Sequence, residues 1–313
     1  MSIKKCLIID AMHESLFPML SGIGWEYDYK PHITDDEIKK IHQHYQGLIV
    51  RSKTIINQEL LGETPSVKFI GRAGAGLDNL DLEYLQDKGI YVLHAAEGNR
   101  DAVGEYTVGS VLALMRNLPK ADRQVKGLIW DREGNRGEEL MGKTVGIIGY
   151  GNMGQAFAKR LSGFGCKVLA YDKYKVGFAS EGIREVQMNE IYDECDIVSL
   201  HIPLTHETRG LVTEQYFNQF RKRILLINTA RGEIVVLADV LKALDSGLLR
   251  GAVLDVLENE KLDKLTVGQQ QTFHALSKKS NVILTPHIAG WTFESHIKIN
   301  VALINGIKSL SLR

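Results

Sequence analysis

The stretch TVGIIGYGNMG at residues 144–154 decides the fold of this chain. It runs an apolar strand directly into three glycines at G-x-G-x-x-G spacing, Gly149, Gly151 and Gly154. Where such glycines join a strand to a helix, the first permits a tight turn, the second lets the backbone approach a pyrophosphate, and the third lets helix and strand pack closely. The helix N-terminus then offers free N–H groups to phosphate. The stretch therefore predicts a doubly wound α/β domain that binds a dinucleotide.

The residues after the glycines favour one dinucleotide in particular. An amphipathic helix is followed by a strand over 167–172 that ends in Asp172, 18 residues beyond Gly154 and near the expected offset of about 20. A carboxylate there accepts hydrogen bonds from a ribose diol and repels a 2′-phosphate, which favours NAD over NADP. Lys173 and Lys175 weaken that preference. A flavin, another nucleotide or an empty glycine-rich turn are the alternatives at this point.

Short apolar runs alternate with helical patterns along the chain, which is typical of parallel α/β architecture. Strands are predicted at 6–10, 25–30, 47–51, 68–72 and 91–94, and again at 144–149, 167–172, 197–201, 224–228, 251–255 and 282–285. A long helix is predicted over 102–118, ended by Pro119, and a last helix over 293–307. The sequence thus predicts two doubly wound parallel-sheet domains with a cleft between them. Residues 1–97 and 294–313 form a discontinuous substrate-binding domain, and residues 98–293 form the NAD-binding domain.

The composition argues against several other classes of protein. The 313 residues carry 38 basic and 38 acidic side chains, so no broad attraction to nucleic acid or an anionic membrane is expected. The N-terminal apolar run is too short for a secretory signal, and no run approaches the roughly 20 apolar residues that span a bilayer. Cys6, Cys166 and Cys195 lie far apart, without the spacing of a metal site. The sequence predicts a cytoplasmic protein with no metal, nucleic-acid or membrane partner.

Three further motifs follow later strands, and the carboxyl ends of strands are where ligands bind in open parallel sheets. They are INTARG at 227–232, LDVLENE at 254–260 and TPHIAG at 285–290. Oxidation of a secondary alcohol by a nicotinamide needs a group that takes the hydroxyl proton, and His287 suits this because imidazole titrates near neutral pH. Glu260 is the candidate to orient that ring, with Glu258 as the alternative. Arg231 is the candidate to clamp a substrate carboxylate.

Each of these residues also has a purely structural interpretation. A histidine after a proline often packs at a surface, an arginine after Asn-Thr-Ala can pair locally, and an acidic run can simply be solvated. The catalytic interpretation depends on all three motifs following successive strands behind the dinucleotide site.

With these motifs in place, the chain resembles the D-isomer-specific 2-hydroxyacid dehydrogenase family over nearly its whole length, from about residue 47 to 292. The resemblance is also carried by LIVRS at 48–52, GRAGAGLDNLD at 71–81, GNRDAVGEYT at 98–107 and HIPLTHETRG at 201–210. It implies a flavodoxin-like domain for substrate and a Rossmann domain for NAD, with the last helix returning to the first domain. It also implies a homodimer formed with the help of the helix near 102–118.

The resemblance further implies roles for individual residues. Arg231, Glu260 and His287 match the family's catalytic trio, and Asp255 is expected to meet the nicotinamide carboxamide. The residues expected to bind the cofactor are Gly149, Gly151, Asn152, Met153, Gly154, Asp172, Pro203, Thr208, Thr229, Ala230, Asp255 and Gly290, with Thr205 near the adenine. Those expected to bind a small 2-hydroxy acid are Arg51, Gly74, Ala75, Gly76, Asn99 and Arg231, the glycine loop acting through its backbone N–H groups.

Within the family, Arg51 and the stretch RAGAGLDNLD at 72–81 most resemble the phosphoglycerate dehydrogenase branch. The expected reaction is oxidation of 3-phosphoglycerate to 3-phosphohydroxypyruvate in serine biosynthesis. Arg51, with Lys53 and Arg72 close in sequence, is expected to face the phosphate, and an ordinary surface ion pair of Arg51 is the alternative. Reduction of glyoxylate or hydroxypyruvate is the alternative within the class, and an NAD-responsive corepressor is the alternative outside it. Because the sequence ends at Arg313, the C-terminal regulatory domain of some members is expected to be absent.

The sequence departs from the family pattern at several positions. Lys261 stands where a proline usually follows the catalytic glutamate, Val236 replaces an acid, and Gly104 replaces an alanine. The segment between Glu260 and His287 is also long. These departures concern the geometry of the Glu260 loop and remove no chemical group that the mechanism needs.

Overall fold

The computed structural model describes residues 4–310. In that range the strands are β1 (Lys5–Ile8), β2 (Glu26–Tyr29), β3 (Gly47–Val50), β4 (Phe69–Arg72), β5 (Tyr91–His94), β6 (Thr144–Ile148), β7 (Lys167–Tyr171), β8 (Ile183–Glu185), β9 (Ile197–Leu200), β10 (Ile224–Asn228), β11 (Leu249–Leu254) and β12 (Val282–Leu284). The α-helices are α1 (Leu16–Gly22), α2 (Asp35–Ile41), α3 (Gln58–Leu61), α4 (Leu82–Asp87), α5 (Ala96–Met115), α6 (Leu118–Lys126), α7 (Asn152–Leu161), α8 (Met188–Glu194), α9 (Glu214–Phe217), α10 (Leu237–Ser246), α11 (Val267–Ser277) and α12 (Phe293–Ser309). The chain divides into two compact units, residues 1–100 with 291–313 and residues 101–290.

The first unit contains a five-stranded sheet in the order β2-β1-β3-β4-β5, in which every neighbouring pair is parallel. This is the flavodoxin-like strand order. All four residues of β3 are buried, and the three after Gly47 are apolar, because helices cover both faces of the sheet. Side chains of α2, α3 and α4 pack in the core of one face, and those of α1 and α12 pack in the core of the other.

The return of α12 to this unit depends on a close backbone approach. A Cβ atom at Gly98, in the first turn of α5, would lie 2.5 Å from the backbone nitrogen of Ile299 in α12. No side chain fits at that distance, so Gly98 allows the two helices to meet. Leu303, Ile304 and Ile307 of α12 are buried in the same core.

The second unit contains a seven-stranded parallel sheet in the order β12-β11-β10-β9-β6-β7-β8. Counted from its own first strand, this is the Rossmann order 3-2-1-4-5-6 with a seventh strand at the edge. The order reverses between β6 and β9, and ligands of such sheets bind at the carboxyl ends of the strands beside that point. The predicted fold class of two doubly wound parallel sheets is confirmed.

The prediction of one helix over 102–118 ended by Pro119 is wrong at both ends. The helix α5 begins earlier, at Ala96, and ends at Met115. Asn117 then takes a left-handed conformation with φ of 53°, and Pro119 lies in the first turn of α6. A proline is tolerated there because the first N–H groups of a helix have no partner within it.

Gly104, a departure from the family pattern, has a packing reason. Its Cβ atom would lie 2.8 Å from the carbonyl oxygen of Ala156, so α5 and α7 approach more closely than an alanine permits without displacement. Arg160 of α7 reinforces this contact through bonds to Asp101 and Glu105 of α5, at 3.0 and 3.1 Å.

Among residues 4–310, no helix is long and apolar enough to cross a membrane. The same part of the chain contains no group of three His, Cys, Asp or Glu side chains arranged to hold a metal ion.

Candidate active site

The three glycines of the turn after β6 differ in what a side chain at each position would contact. Gly149 has a φ of 94°, and its Cβ atom would lie 2.4 Å from the carbonyl oxygen of His201. A Cβ atom at Gly154 would lie 2.1 Å from the carbonyl oxygen of Gly149. A Cβ atom at Gly151 would meet nothing within 4 Å. The protein fold therefore explains the first and third glycines but not the second, which leaves space that fits the pyrophosphate of a dinucleotide.

Asp172, directly after β7, is tied to that turn. Its Oδ2 accepts the backbone N–H of Tyr150 at 2.8 Å, and its Oδ1 accepts those of Tyr174 and Lys175 at 3.0 Å. Burial raises the pKa of Asp172, but the three backbone hydrogen bonds outweigh it and hold the pKa below its usual value. Each carboxylate oxygen has about two acceptor positions, so one on Oδ2 is left for a ribose hydroxyl.

A buried polar atom directly after β10 also fits a ligand. The hydroxyl of Thr229 is buried and has no hydrogen-bond partner within residues 4–310. The loop that carries it is held by Asn228, whose Oδ1 accepts the N–H of Ala230 at 3.0 Å and whose Nδ2 donates to the carbonyl oxygen of Arg231 at 2.9 Å. An unpaired buried hydroxyl in an otherwise satisfied loop is unusual, and a bound cofactor would supply its partner.

The loop after β9 contains Pro203, Thr205 and Thr208, which are also predicted to lie near the cofactor. Thr208 donates its hydroxyl to the carbonyl oxygen of Pro203 at 2.8 Å, and the backbone N–H of Thr205 donates to the Thr208 hydroxyl at 2.8 Å. At the start of this loop, burial lowers the pKa of His201 to about 4, and its Nε2 lies 2.9 Å from the Ser199 hydroxyl. His201 is thus a neutral packing residue at pH 7, and no feature of the sequence indicated this.

The segments after β10 and β11 are brought together at Gly232. A Cβ atom there would lie 1.9 Å from the carbonyl oxygen of Leu257, so only glycine permits this approach. It places Arg231 near the segment that carries Glu260, and the positive charge of Arg231 contributes to the lowered pKa of that carboxyl. Nη1 of Arg231 also donates to the carbonyl oxygen of Ala230 at 2.7 Å.

Glu260 and His287 are in direct contact. Nδ1 of His287 lies 3.0 Å from Oε1 and 3.1 Å from Oε2 of Glu260, and both side chains are 46% exposed. The hydrogen bond from His287 lowers the pKa of Glu260, against the opposing effect of burial. His287 itself has a φ of 54°, a conformation that side-chain-bearing residues rarely adopt. The structure thus places all three residues of the predicted catalytic trio in one region of the second unit.

Glu258, the alternative to Glu260, has a different contact. Its Oε2 accepts the backbone N–H of Leu237, the first residue of α10, at 3.1 Å. Burial raises the pKa of Glu258. The geometry therefore favours Glu260 as the partner of His287 and makes Glu258 the cap of α10.

The carboxylate of Asp255, which is expected to meet the nicotinamide, accepts several hydrogen bonds from the protein itself. It accepts the Thr285 hydroxyl at 2.7 Å and the backbone N–H groups of Ile288 and Ala289 at 2.9 and 2.8 Å. Thr285 also hydrogen-bonds with the phenol of Tyr106 on α5. Sequence reasoning missed Tyr106 and Thr285, although both stand inside quoted motifs, GEYT and TPHIAG.

In the first unit, the loop after β4 presents unpaired donors. The backbone N–H groups of Ala75 and Gly76 have no hydrogen-bond partner in the described part of the chain. Gly74 has a φ of 155°, a backbone conformation that residues with a side chain rarely adopt. Oδ1 of Asn99, in the first turn of α5, is buried and likewise unpaired within residues 4–310. These groups are able to bind a small polar ligand.

The cationic residues of the first unit differ in what they offer an anion. The Arg51 guanidinium lies 4.6 Å from the ring centre of Trp291, and Nη1 makes one long bond, 3.4 Å, to the carbonyl oxygen of Ala11. Arg51 forms no ion pair within the described residues, contrary to the alternative considered above. Lys53 donates to the carbonyl oxygens of Ile9, Pro31 and Ile33 at 2.7, 3.0 and 2.9 Å, which uses all its hydrogens. Lys53, close to Arg51 in the sequence, therefore has no hydrogen left for a phosphate, whereas Arg51 has free donors.

Comparison with known proteins bears on this arrangement. Residues 108–289 match the family model described as D-isomer specific 2-hydroxyacid dehydrogenase, NAD binding domain. A protein named D-3-phosphoglycerate dehydrogenase from Archaeoglobus fulgidus is 32% identical over 309 residues, which is 98% of this chain and 57% of the relative. A hydroxypyruvate reductase from Thermotoga maritima is 33% identical over 276 residues, which is 88% of each. The crystal structure of D-lactate dehydrogenase from Aquifex aeolicus, complexed with NAD and lactic acid, has a TM-score of 0.83 at 28% identity and covers 98% of this chain and 95% of that one.

The chain spans less than two thirds of the length of the phosphoglycerate dehydrogenases that it matches. The family model nevertheless covers more than half of the chain, and it covers the unit that contains the glycine turn, Asp172 and the Glu260–His287 pair. The expected cofactor, NAD, is confirmed for this domain, and the chain belongs to the D-isomer specific 2-hydroxyacid dehydrogenase family.

Proposed function

We propose that the protein oxidises a D-2-hydroxy acid with NAD, or reduces the 2-keto acid, and that its substrate is 3-phosphoglycerate in serine biosynthesis. The observation that carries the proposal is the contact between His287 and Glu260 in the NAD-binding unit. A carboxylate that receives Nδ1–H fixes the tautomer of the imidazole, which leaves the Nε2 lone pair free to accept a proton. That is the arrangement required of a general base for an alcohol.

Other steps of the proposed reaction, which are proton transfer, substrate binding and cofactor binding, fall to different residues of the chain. His287 takes the proton of the substrate hydroxyl at Nε2, and Glu260 stabilises the imidazolium that forms. Arg231 binds the substrate carboxylate and polarises the neighbouring oxygen. The unpaired backbone N–H groups of Ala75 and Gly76 donate to the other oxygen of the carboxylate, and Asn99 offers a buried, unpaired amide oxygen that can accept a hydrogen bond. NAD, held by the glycine turn and Asp172, supplies the acceptor for the hydride.

The choice of 3-phosphoglycerate is supported by Arg51. Its guanidinium lies against the Trp291 ring and has unused donors, and a planar guanidinium suits a phosphate that bears two charges. The names of several relatives at 32–34% identity point the same way. The second candidate function is reduction of hydroxypyruvate or glyoxylate, and the name of the Thermotoga relative, a hydroxypyruvate reductase 33% identical over 88% of each chain, favours the first of these substrates.

A substrate panel tests the proposal. We expect NAD reduction with 3-phosphoglycerate to exceed that with glycerate, lactate and 2-hydroxyglutarate, and His287→Ala to lower turnover by about two orders of magnitude or more while NAD still binds. Faster NADH oxidation with glyoxylate or hydroxypyruvate than with 3-phosphohydroxypyruvate would favour the second candidate. Near-normal turnover of the His287→Ala variant would contradict the mechanism.

We also propose that the protein is a homodimer. None of the residues of α6 is buried, and α6 and the segment after it, up to residue 141, carry six exposed apolar side chains. They are Leu118, Val125, Leu128, Ile129, Trp130 and Met141. Leu128 and Trp130 are 95% and 85% exposed, and a patch of this kind marks an interface between proteins.

A cytoplasmic location is the last part of the proposal. Cys6, Cys166 and Cys195 are all free thiols, and Cys6 and Cys195 are buried. Burial raises the pKa of all three and brings that of Cys195 to about 12, so these thiols are unreactive. Unpaired, unreactive cysteines fit a protein that works in a reducing compartment.

A further inference from the structure

We propose that Tyr106, on α5, is a positioning residue that fixes the turn carrying His287 through Thr285 and Asp255. The inference rests on the proposed role of His287, and it adds a residue that lies outside the catalytic trio. Tyr106 acts on no substrate atom in this proposal. It acts through two hydrogen bonds in series, both within the second unit.

Asp255 holds the turn that carries His287 through three hydrogen bonds. Its carboxylate accepts the backbone N–H groups of Ile288 and Ala289, and its carbonyl oxygen accepts the N–H of His287 at 2.7 Å. Three successive backbone N–H groups therefore point at one residue. This explains how His287 keeps its φ of 54°, because surrounding hydrogen bonds offset the strain of such a conformation.

The Thr285 hydroxyl connects Asp255 to Tyr106. It donates its single proton to Oδ1 of Asp255 at 2.7 Å, so it can only accept from Tyr106. Burial and the nearby Asp255 carboxylate raise the pKa of Tyr106, against the lowering effect of its hydrogen bonds to Thr285 and Ser110, and the phenol stays protonated and able to donate throughout the neutral range. The direction of both bonds is thus fixed, from Tyr106 to Thr285 and from Thr285 to Asp255.

The consequence is that the position of the carboxylate depends on groups on two elements. Thr285 follows β12, and Tyr106 lies on α5, whose residues Val111, Leu114 and Met115 are buried in the core of the same unit. The core thereby anchors the side chain that holds the His287 turn. A loss of the relay would leave the ring of His287 and its contact with Glu260 free to move, which lowers the fraction of molecules poised for proton transfer.

The test uses Thr285→Val, Thr285→Ser, Tyr106→Phe and the double variant Tyr106→Phe/Thr285→Val. Two quantities are measured: hydrogen exchange of the Ile288 and Ala289 amides in the ligand-free protein, and kcat and KM for the hydroxy acid. We expect Thr285→Val to speed exchange and lower kcat by about tenfold, and Tyr106→Phe to do so by roughly threefold, with KM little changed. Thr285→Ser should restore both quantities because it restores the hydroxyl. The double variant should be no worse than Thr285→Val, since Tyr106 acts through Thr285.

Tyr84→Phe is the matched control, because the Tyr84 phenol makes one comparable buried bond, to the carbonyl oxygen of Gly62 at 2.7 Å in the first unit. It should leave exchange at Ile288 and Ala289 unchanged. Equal effects of Tyr84→Phe and Tyr106→Phe, or losses that add in the double variant, would overturn the relay. Exchange is read without turnover, so a protein that lacks the proposed activity altogether would still show whether the relay exists.

Discussion

Nδ1 of His287 lies 3.0 Å from a carboxylate oxygen of Glu260, a residue 27 positions earlier in the chain. The two side chains come from segments that follow adjacent parallel strands, β11 and β12. Because the carboxyl ends of parallel strands meet at one edge of the sheet, the fold brings them together without a dedicated local motif. Their contact is the basis of the first prediction.

Replacement of Glu260 by glutamine should lower kcat by about 10- to 100-fold with little change in KM. A hydrogen bond to a charged group contributes roughly 1.5–3 kcal/mol, and each 1.4 kcal/mol corresponds to about tenfold in rate. The lowered pKa of Glu260 means that its carboxylate is charged at and above neutral pH, so the wild type has the full effect there. Steady-state kinetics with the best substrate of the panel provides the measurement.

Glu258→Gln is the control for this experiment, since Glu258 stands two residues away and caps α10 instead. It should keep kcat close to that of the wild type. An equal loss in both variants would mean that the acidic segment acts as a whole and that the pairing with His287 is not what matters.

Gly151→Ala should separate cofactor binding from folding. Because a Cβ atom at this position meets no protein atom, the variant should unfold at the wild-type denaturant midpoint. Its affinity for NAD should fall by about tenfold or more, since the methyl group occupies the approach to the pyrophosphate. Gly154→Ala is the contrasting variant, with a Cβ atom 2.1 Å from a backbone oxygen, and should lose about 2–3 kcal/mol of stability. Urea titration and fluorescence binding of NADH measure the two effects, and normal NADH affinity in Gly151→Ala would contradict the assignment.

Asp172→Asn should relax the preference for NAD over NADP. The asparagine keeps an oxygen that can accept the N–H of Tyr150, so the glycine turn is retained, but the charge that repels a 2′-phosphate is lost. Lys175 lies beside the turn, with Nζ 3.3 Å from the carbonyl oxygen of Tyr150, and would attract the phosphate. We expect the ratio of kcat/KM for NAD to that for NADP to fall by at least about tenfold. A wild type that already uses the two cofactors equally would show that Asp172 does not discriminate.

The sequence predicted the positions of elements that have a clear apolar pattern. It predicted less well which side chains meet where two loops contact each other. Fully buried strands such as β6, β9 and β10 are apolar on successive residues, so their positions were predictable within one or two residues. The helix α11 lacks an apolar face that a periodic pattern could reveal, because only Leu276 is buried in it. The edge strand β8 has three partly or fully exposed residues and was missed for the same reason.

The choice between Glu258 and Glu260 shows a second limit. Both acids lie in one irregular segment, and neither a 3.6-residue nor a 2-residue period says which carboxylate faces His287. The answer depends on the close contact of Gly232 with Leu257, which fixes the path of the segment. A contact between two loops of this kind is tertiary information, and a single sequence does not express it. The Tyr106–Thr285 bond is hidden for the same reason.

His201 should make the stability of the protein fall in acid. Burial lowers its pKa from 6.5 to about 4, so the unfolded chain takes up a proton before the folded chain does. The contribution of His201 to stability is complete above pH 6.5 and is lost as the pH falls through about 4. A shift of this size corresponds to about 3 kcal/mol at most. The free energy of unfolding measured in urea should therefore fall between pH 6.5 and 4 by up to that amount more for the wild type than for His201→Gln. Parallel pH profiles of the wild type and His201→Gln would contradict the burial of a neutral imidazole.

The exposed patch on α6 and the segment after it predicts the behaviour of the protein in solution. Leu128 and Trp130 are among its most exposed apolar side chains, and a charge on each would have to be desolvated in an interface between two copies. Leu128→Glu/Trp130→Glu should therefore shift the mass measured by light scattering from about twice that of the chain to that of the 35.0 kDa chain itself, with no loss of helix content. Val267→Glu provides the control, because Val267 is 73% exposed but lies at the start of α11, away from the patch in sequence, and an acid in the first turn suits a helix. A monomer from Leu128→Glu/Trp130→Glu alone would identify the patch as the dimer interface. A wild-type mass for both variants, or a wild type that is already a monomer, would contradict the proposed dimer interface.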